Sequence, residues 1–164
     1  MDKTEIIIEP GKQDIVFKRV FDAPRDIVFR ALTDPTLVPS YWGPAKYEVI
    51  VDEMEARAGG RWRYITRADD GGEHSFHGVY HEVSPDRIVQ TSEYEGAPGH
   101  VALETAFLEE RDGKTYYTGI SLAGSVEERD AVVASGMESG ARELYNRLDE
   151  LVTRLAEERT ATPA

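Results

Sequence analysis

Histidines and carboxylates are the first places to look for reactive chemistry in this chain, because it has no cysteine. That absence excludes a thiolate nucleophile, a disulfide framework and a cysteine-based zinc site. His77 and His81 stand four residues apart, the spacing at which two helical imidazoles share one zinc ion. They fall, however, in a stretch that reads as a strand. At about 3.3 Å per residue the two rings lie roughly 13 Å apart, too far for ligands that each sit about 2 Å from one ion. His74 and His100 fall near turns. No metal site is expected.

Acidic side chains cluster at Asp52, Glu53 and Glu55, at Glu93 and Glu95, and at Glu109 and Glu110. Glu93 and Glu95 share one side of a strand, but a solvated acidic face is the ordinary role of such a pair. There is no Gly-x-Ser-x-Gly elbow, phosphate loop or dinucleotide fingerprint. No catalytic residue and no cofactor is therefore assigned. For acid–base chemistry the side chains to weigh are His77, Tyr80, Glu82 and Tyr117.

Aromatic residues make a more coherent set. Trp42, Trp62, Tyr64, Phe76, Tyr80, Phe107 and Tyr117 lie along the strand-like region and its approach. Met137 and Tyr145 lie on the apolar stripe of a C-terminal helix. Any one of these is explained by core packing. Together they describe an apolar ligand pocket with hydroxyl and indole N–H groups as polar handles.

The elements that must position these residues can be read from pattern. Residues 5–8 and 14–21 alternate as strands, separated by a turn-rich stretch at 9–13. The first is an edge strand or a dimer contact. Pro24 suits the first position of a helix, and Asp26 adds a favourable charge to its first turn. Asp34-Pro35 repeats the signal and predicts a second short helix over 35–41. Strands are expected at 46–55, 60–68, 74–83, 87–95, 101–110 and 114–123. Asp70-Gly71-Gly72, Ser84-Pro85-Asp86-Arg87 and Asp112-Gly113 supply tight turns, so consecutive strands pair antiparallel. Gly60, Gly78 and Gly119 are expected bending points. Two capping boxes, Ser125 with Glu128 and Ser135 with Glu138, start helices over 126–134 and from 136 to about 157. The second is amphipathic and roughly 30 Å long.

The fold class is thus α+β: a curved antiparallel sheet of about six to seven strands wrapped on a long C-terminal helix, with two short helices after the first strand. A twisted sheet wider than one helix leaves room for a cavity along that helix. The chain divides into an N-terminal strand or extension (1–13), a single domain (14–158) and a flexible tail (159–164).

With 164 residues, the chain is the size of one ordinary domain. Its formal charge of −12 opposes binding to phosphate backbones, so no nucleic acid partner is expected. The basic cluster of Arg61, Arg63 and Arg67 is surrounded by acids. The N-terminus lacks the basic-then-apolar pattern of a signal peptide, and no stretch approaches the roughly 20 apolar residues of a membrane span. A cytoplasmic protein with no membrane insertion is expected.

Residues 20–35, Val-Phe-Asp-Ala-Pro-Arg-Asp-Ile-Val-Phe-Arg-Ala-Leu-Thr-Asp-Pro, resemble the opening of the heat-shock protein 90 ATPase activator-like family. That family lies within the START-like, helix-grip superfamily. Tyr41-Trp42-Gly43-Pro44 is similar to its Trp-Trp-Gly-Pro signature, with Tyr41 where the first tryptophan is usual. Gly59-Gly60-Arg61-Trp62, the stretch from Phe76 to Val89, and Ser135–Gly140 resemble three further motifs in the same order. The resemblance covers about residues 14–155. It implies a helix-grip fold with a deep cavity and, from the Tyr41 departure, a changed pocket mouth. The superfamily includes carriers, cyclases, hydrolases and chaperone cofactors, so fold alone does not choose among them.

The leading expectation is a binder of a small hydrophobic molecule, lipid- or polyketide-like, with a possible link to stress response. The alternatives are a polyketide cyclase or hydratase-like enzyme, and a protein-interaction module with a chaperone partner. A homodimer through the first strand is a further possibility.

Overall fold

The computed structural model describes residues 3–161. Its eight strands are β1 (Glu5–Ile7), β2 (Asp14–Phe21), β3 (Glu48–Met54), β4 (Arg61–Arg67), β5 (Glu73–Ser84), β6 (Arg87–Tyr94), β7 (Val101–Arg111) and β8 (Lys114–Leu122). The helices are α1 (Arg25–Thr33), α2 (Val126–Ala134) and α3 (Met137–Ala161). One antiparallel sheet runs in the order β1-β2-β8-β7-β6-β5-β4-β3. It has one strand more than the upper expectation, because Glu5–Ile7 does pair, as an edge strand on β2.

Six consecutive hairpin strands form the meander from β3 to β8. The connection from β2 to β3 must instead travel from one side of the sheet to the far edge. It carries α1 and lies against α3 on the way. The second short helix expected there is only a three-residue 3-10 turn, Val38–Ser40. Asp34 spends its carboxylate on the backbone N–H and hydroxyl of Thr36, and Pro39 has no N–H with which to continue a helix.

Register shifts at Val51/Glu53 in β3 and Tyr80/Glu82 in β5 mark bulges, which add local twist and bend the sheet round the helix. Inside that curve Phe21, Ile27, Val28, Leu148 and Val152 are wholly buried and fuse sheet, α1 and α3 into one core. Polar clamps fix the helix over it. Arg19, buried on the inner face of β2, donates to Asn146 Oδ1 at 2.6 Å and Asp149 Oδ2 at 2.8 Å. Arg147 donates to the Gly43 carbonyl at 2.7 Å. Arg159 pairs with Asp26 in the first turn of α1 at 2.9 Å.

That last pair lies beyond the expected helix end near 157. α3 continues through Ala161, so residues 159–161 of the expected tail are helical, while 162–164 lie outside the described residues, as do residues 1–2 of the expected extension. The Ser125 cap forms, its hydroxyl accepting from the Glu128 N–H at 3.0 Å. Glu128 itself reaches Gly124 N–H rather than the serine's. Ser135 does not cap α3. It closes α2, and its hydroxyl donates to the Val132 carbonyl. No helix among the described residues is long and apolar enough to cross a membrane.

Candidate functional site

Strand alternation decides which side chains meet the helix. Cross-strand partners put Phe17, Gly119, Ala106 and Ile88 in one inner row, and Ser121, Glu104 and Gln90 in the next. Two of the residues in the first row, Gly119 and Ala106, are small. The sheet floor is therefore lowest at its centre, under α3, and a cavity of about 310 Å³ remains there. Phe17, Trp42, Trp62, Tyr64, Tyr117 and Tyr145 contribute its aromatic walls. Leu32, Leu144 and Leu148 face it from the helical side.

The rings brace one another. Trp42 meets Tyr64 and Phe76 edge-on, each with ring centres 5.0 Å apart, and Trp62 lies 4.7 Å from Tyr64. The Trp62 indole N–H donates to the Thr91 carbonyl at 3.0 Å. That bond crosses β5 at Gly78, where a Cβ would lie 1.8 Å from the Thr91 oxygen and 2.5 Å from the indole nitrogen. Only glycine admits this approach; Gly78 makes room for a neighbour beyond any bend it allows. Tyr41, at the position of the usual tryptophan, is buried against the cavity and donates to the Ala31 carbonyl at 2.9 Å. It ties the 3-10 turn to α1.

The polar content of the cavity is concentrated in one band. Ser121 donates to Glu104 Oε1 at 3.0 Å, with Gln90 opposite Glu104 on β6 and Ser92 further along that strand. Glu104 is half-buried and lines this cavity. Removal from bulk water raises its pKa to about 7, against the opposing effect of the Ser121 hydrogen bond. Nearby, the Tyr117 and Tyr145 hydroxyls lie 3.1 Å apart. Burial pushes Tyr117 up to about 12, with Glu104 adding to the rise, and burial also raises Tyr145. At neutral pH both phenols are therefore protonated.

A second cavity, of about 510 Å³, adjoins the first between the β6–β7 end of the sheet and α2. Ser92 and Glu104 line both, so the carboxyl stands at their common wall, and Ser121 lines the second. Phe76, Tyr94 and Val132 give the second space its apolar sides, and the His100–Glu128 pair, 3.0 Å apart, lies in its rim.

Of the nine pocket residues expected from sequence, Trp42, Trp62, Tyr64, Tyr117 and Tyr145 line the first cavity. Phe76 lines the second. Tyr80 is buried in the core without reaching either lining, and half-buried Met137 stands at the start of α3. Phe107 is on the outer face, 38% exposed and partly covered by Arg87, because alternation gives the inward position to Leu108. The four side chains weighed for proton transfer do not converge. His77 lies between Glu93 (3.2 Å) and Glu95 (3.0 Å), beside Arg63 and its partner Asp52, and Glu82 pairs with Arg87. The Arg63 and His77 hydrogen bonds hold Glu95 down at about 2. No group of three or more His, Asp or Glu positioned to hold a metal ion occurs among the described residues. Glu104 is absent from the sequence expectations. The signal for it was present: in 101–110, Ala102, Glu104, Ala106 and Leu108 share the inward side.

A Rhodobacter sphaeroides protein of known structure is 26% identical, with a TM-score of 0.85 over 93% of this chain and 99% of its own. An Arthrobacter aurescens protein is 24% identical, with a TM-score of 0.84 over 92% of this chain and 91% of its own. DynU16, named as a protein of the dynemicin biosynthetic locus, is 20% identical, with a TM-score of 0.66 over 87% of this chain and 48% of its own. The last two share the fold. No curated protein sequence matches significantly. The model of the family described as activator of Hsp90 ATPase homolog 1-like protein matches residues 22–153, and the chain belongs to that family.

Proposed function

We propose that this protein acts in the cytoplasm by binding a small, largely apolar molecule, lipid- or polyketide-like in carbon skeleton, between its sheet and α3. The observation that carries the reading is the unfilled space of about 310 Å³ bounded by interlocked aromatic rings. Interiors are normally close-packed, so a void of this size supports a binding role. The test is native mass spectrometry of freshly purified protein, followed by thermal-shift measurements with lipid and polyketide panels. A co-purified small molecule, or a panel member that raises Tm, supports binding. Repeatedly empty preparations and a silent panel overturn it.

A second reading, an acid–base enzyme of the cyclase or hydratase kind, is favoured by Glu104. A carboxyl whose pKa is about 7, inside a cavity, is tuned for proton transfer near neutrality. DynU16's biosynthetic setting fits that reading. Turnover of a cyclisable polyketone by the wild type but not by Glu104→Gln would establish it; an identical product distribution with and without protein would remove it. The outer face supports a third role, contact with a protein such as a chaperone, through the exposed cross-strand pair Leu103 and Leu122.

A further inference from the structure

We propose that the cavity selects organic cations: an apolar body carrying a protonated amine, with Glu104 as its counter-charge. The proposal rests on the ligand-binding reading above and adds the sign of the ligand's charge. Among the cavity's lining residues Glu104 is the only acidic or basic side chain; no lysine, arginine or histidine faces the space. Ser121 is the one hydrogen-bond donor to its carboxyl among the described residues, and no ion pair involves it.

Three classes of guest can then be compared. An anionic guest, such as a fatty acid, would bring a second negative charge into the same low-dielectric space with no cation to offset it. A neutral guest leaves Glu104 either protonated or ionised without a partner. A protonated amine pairs with the carboxylate directly, and the amide oxygen of Gln90 and the hydroxyl of Ser92 supply acceptors for the remaining N–H groups in the same band. The surrounding rings, Trp42, Trp62, Tyr64 and Phe17 among them, present faces that attract a cation and tolerate its apolar body. The net charge of −12 raises the local concentration of cations and lowers that of anions. The titratable neighbours do not compensate Glu104: Tyr117 and Tyr145 stay neutral, and from the α2 side the His100 ring is paired with Glu128. At about 30 Å³ per water-sized group, a 310 Å³ space admits about ten non-hydrogen atoms, one ring and a short chain.

Phenylbutylamine, phenylbutanol and phenylbutyrate share that body and differ in charge. Each is titrated calorimetrically into the wild type, Glu104→Gln and Ser121→Ala at pH 6, in buffers of different ionisation heat. The wild type is expected to bind the amine at least about tenfold more tightly than the alcohol, and the carboxylate least. Because Glu104 holds a proton at pH 6 before binding and loses it on pairing, the amine should release close to one proton. Glu104→Gln should lose both the preference and the proton release, whereas Ser121→Ala, which keeps the acid but removes its one hydrogen bond, should keep the order of the three guests while binding the amine more weakly. If the alcohol binds as well as the amine, with no proton released, the cation claim falls while binding of apolar molecules stands. If none of the three binds the folded wild type, the cation claim falls, and the ligand-binding reading is decided by the lipid and polyketide panels.

Discussion

The hydroxyl oxygens of Tyr117 on β8 and Tyr145 on α3 lie 3.1 Å apart, joining the floor of the cavity to its roof. Both rings are also packed: Phe21 lies edge-on to Tyr117 at 5.7 Å and Phe17 is 5.6 Å from Tyr145. Replacing Tyr145 by Phe keeps the rings and removes the bond. The expected loss is about 1 kcal/mol, read by chemical denaturation. Tyr117→Phe and the double variant complete a cycle whose effects should be less than additive, because each single change already breaks the same bond.

Glu104 should make the protein less stable as pH rises. Its folded pKa, about 7, is above the usual carboxylate value of 4.5, so the native state holds a proton that the unfolded chain has released. The penalty is absent below pH 4.5, grows through the window to about 7, and is then constant. Glu104→Gln should therefore stabilise by about 2–3 kcal/mol at pH 8 and by almost nothing at pH 4. Denaturation curves at the two pH values check the sign; equal effects at both would show that the carboxyl is not tuned.

Gly78→Ala should be severe for so small a change. Its methyl would sit 1.8 Å from the Thr91 carbonyl, forcing β5 from β6 and breaking the Trp62 indole bond. A loss of about 3 kcal/mol is expected, with a change in tryptophan fluorescence as Trp62 moves.

Arg129 anchors α2 rather than the main core. It is 2% exposed and donates to the Asp14 carbonyl at 2.9 Å and the Glu9 carbonyl at 2.8 Å. Arg129→Ala strips both carbonyls and should cost about 2 kcal/mol. Hydrogen exchange should quicken in α2 far more than in α3, and binding and release of any guest through the second cavity, which α2 walls, should speed up together.

Much of the scaffold is legible in the sequence, because short-range rules control it. Each strand from β3 to β8 lies within about two residues of its expected range, since glycine and proline turns mark the ends. The second short helix was not, because Asp34-Pro35 is read equally well as a turn, and Pro39 decides the outcome. The cavity was legible as a type of place and less so as a set of residues. Trp62 and Tyr64 follow from alternation, but Phe76 enters a second space whose existence depends on how α2 packs against the sheet. Phe107 and Glu104 were separable from strand period alone, given the right phase. Composition favours the aromatic over the carboxylate as a pocket wall, and alternation overrules composition.

The lining begins at Phe17 and ends at Leu148, with contributions from most strands and from helices at both ends of the sequence. No excised fragment could rebuild it, since every wall segment is held by some distant part of the polypeptide. A guest lodged there would consequently behave as a clasp on the entire molecule. Occupancy should register as resistance to heat and protease along the full length, giving a sensor for binding that needs no knowledge of the guest's chemistry.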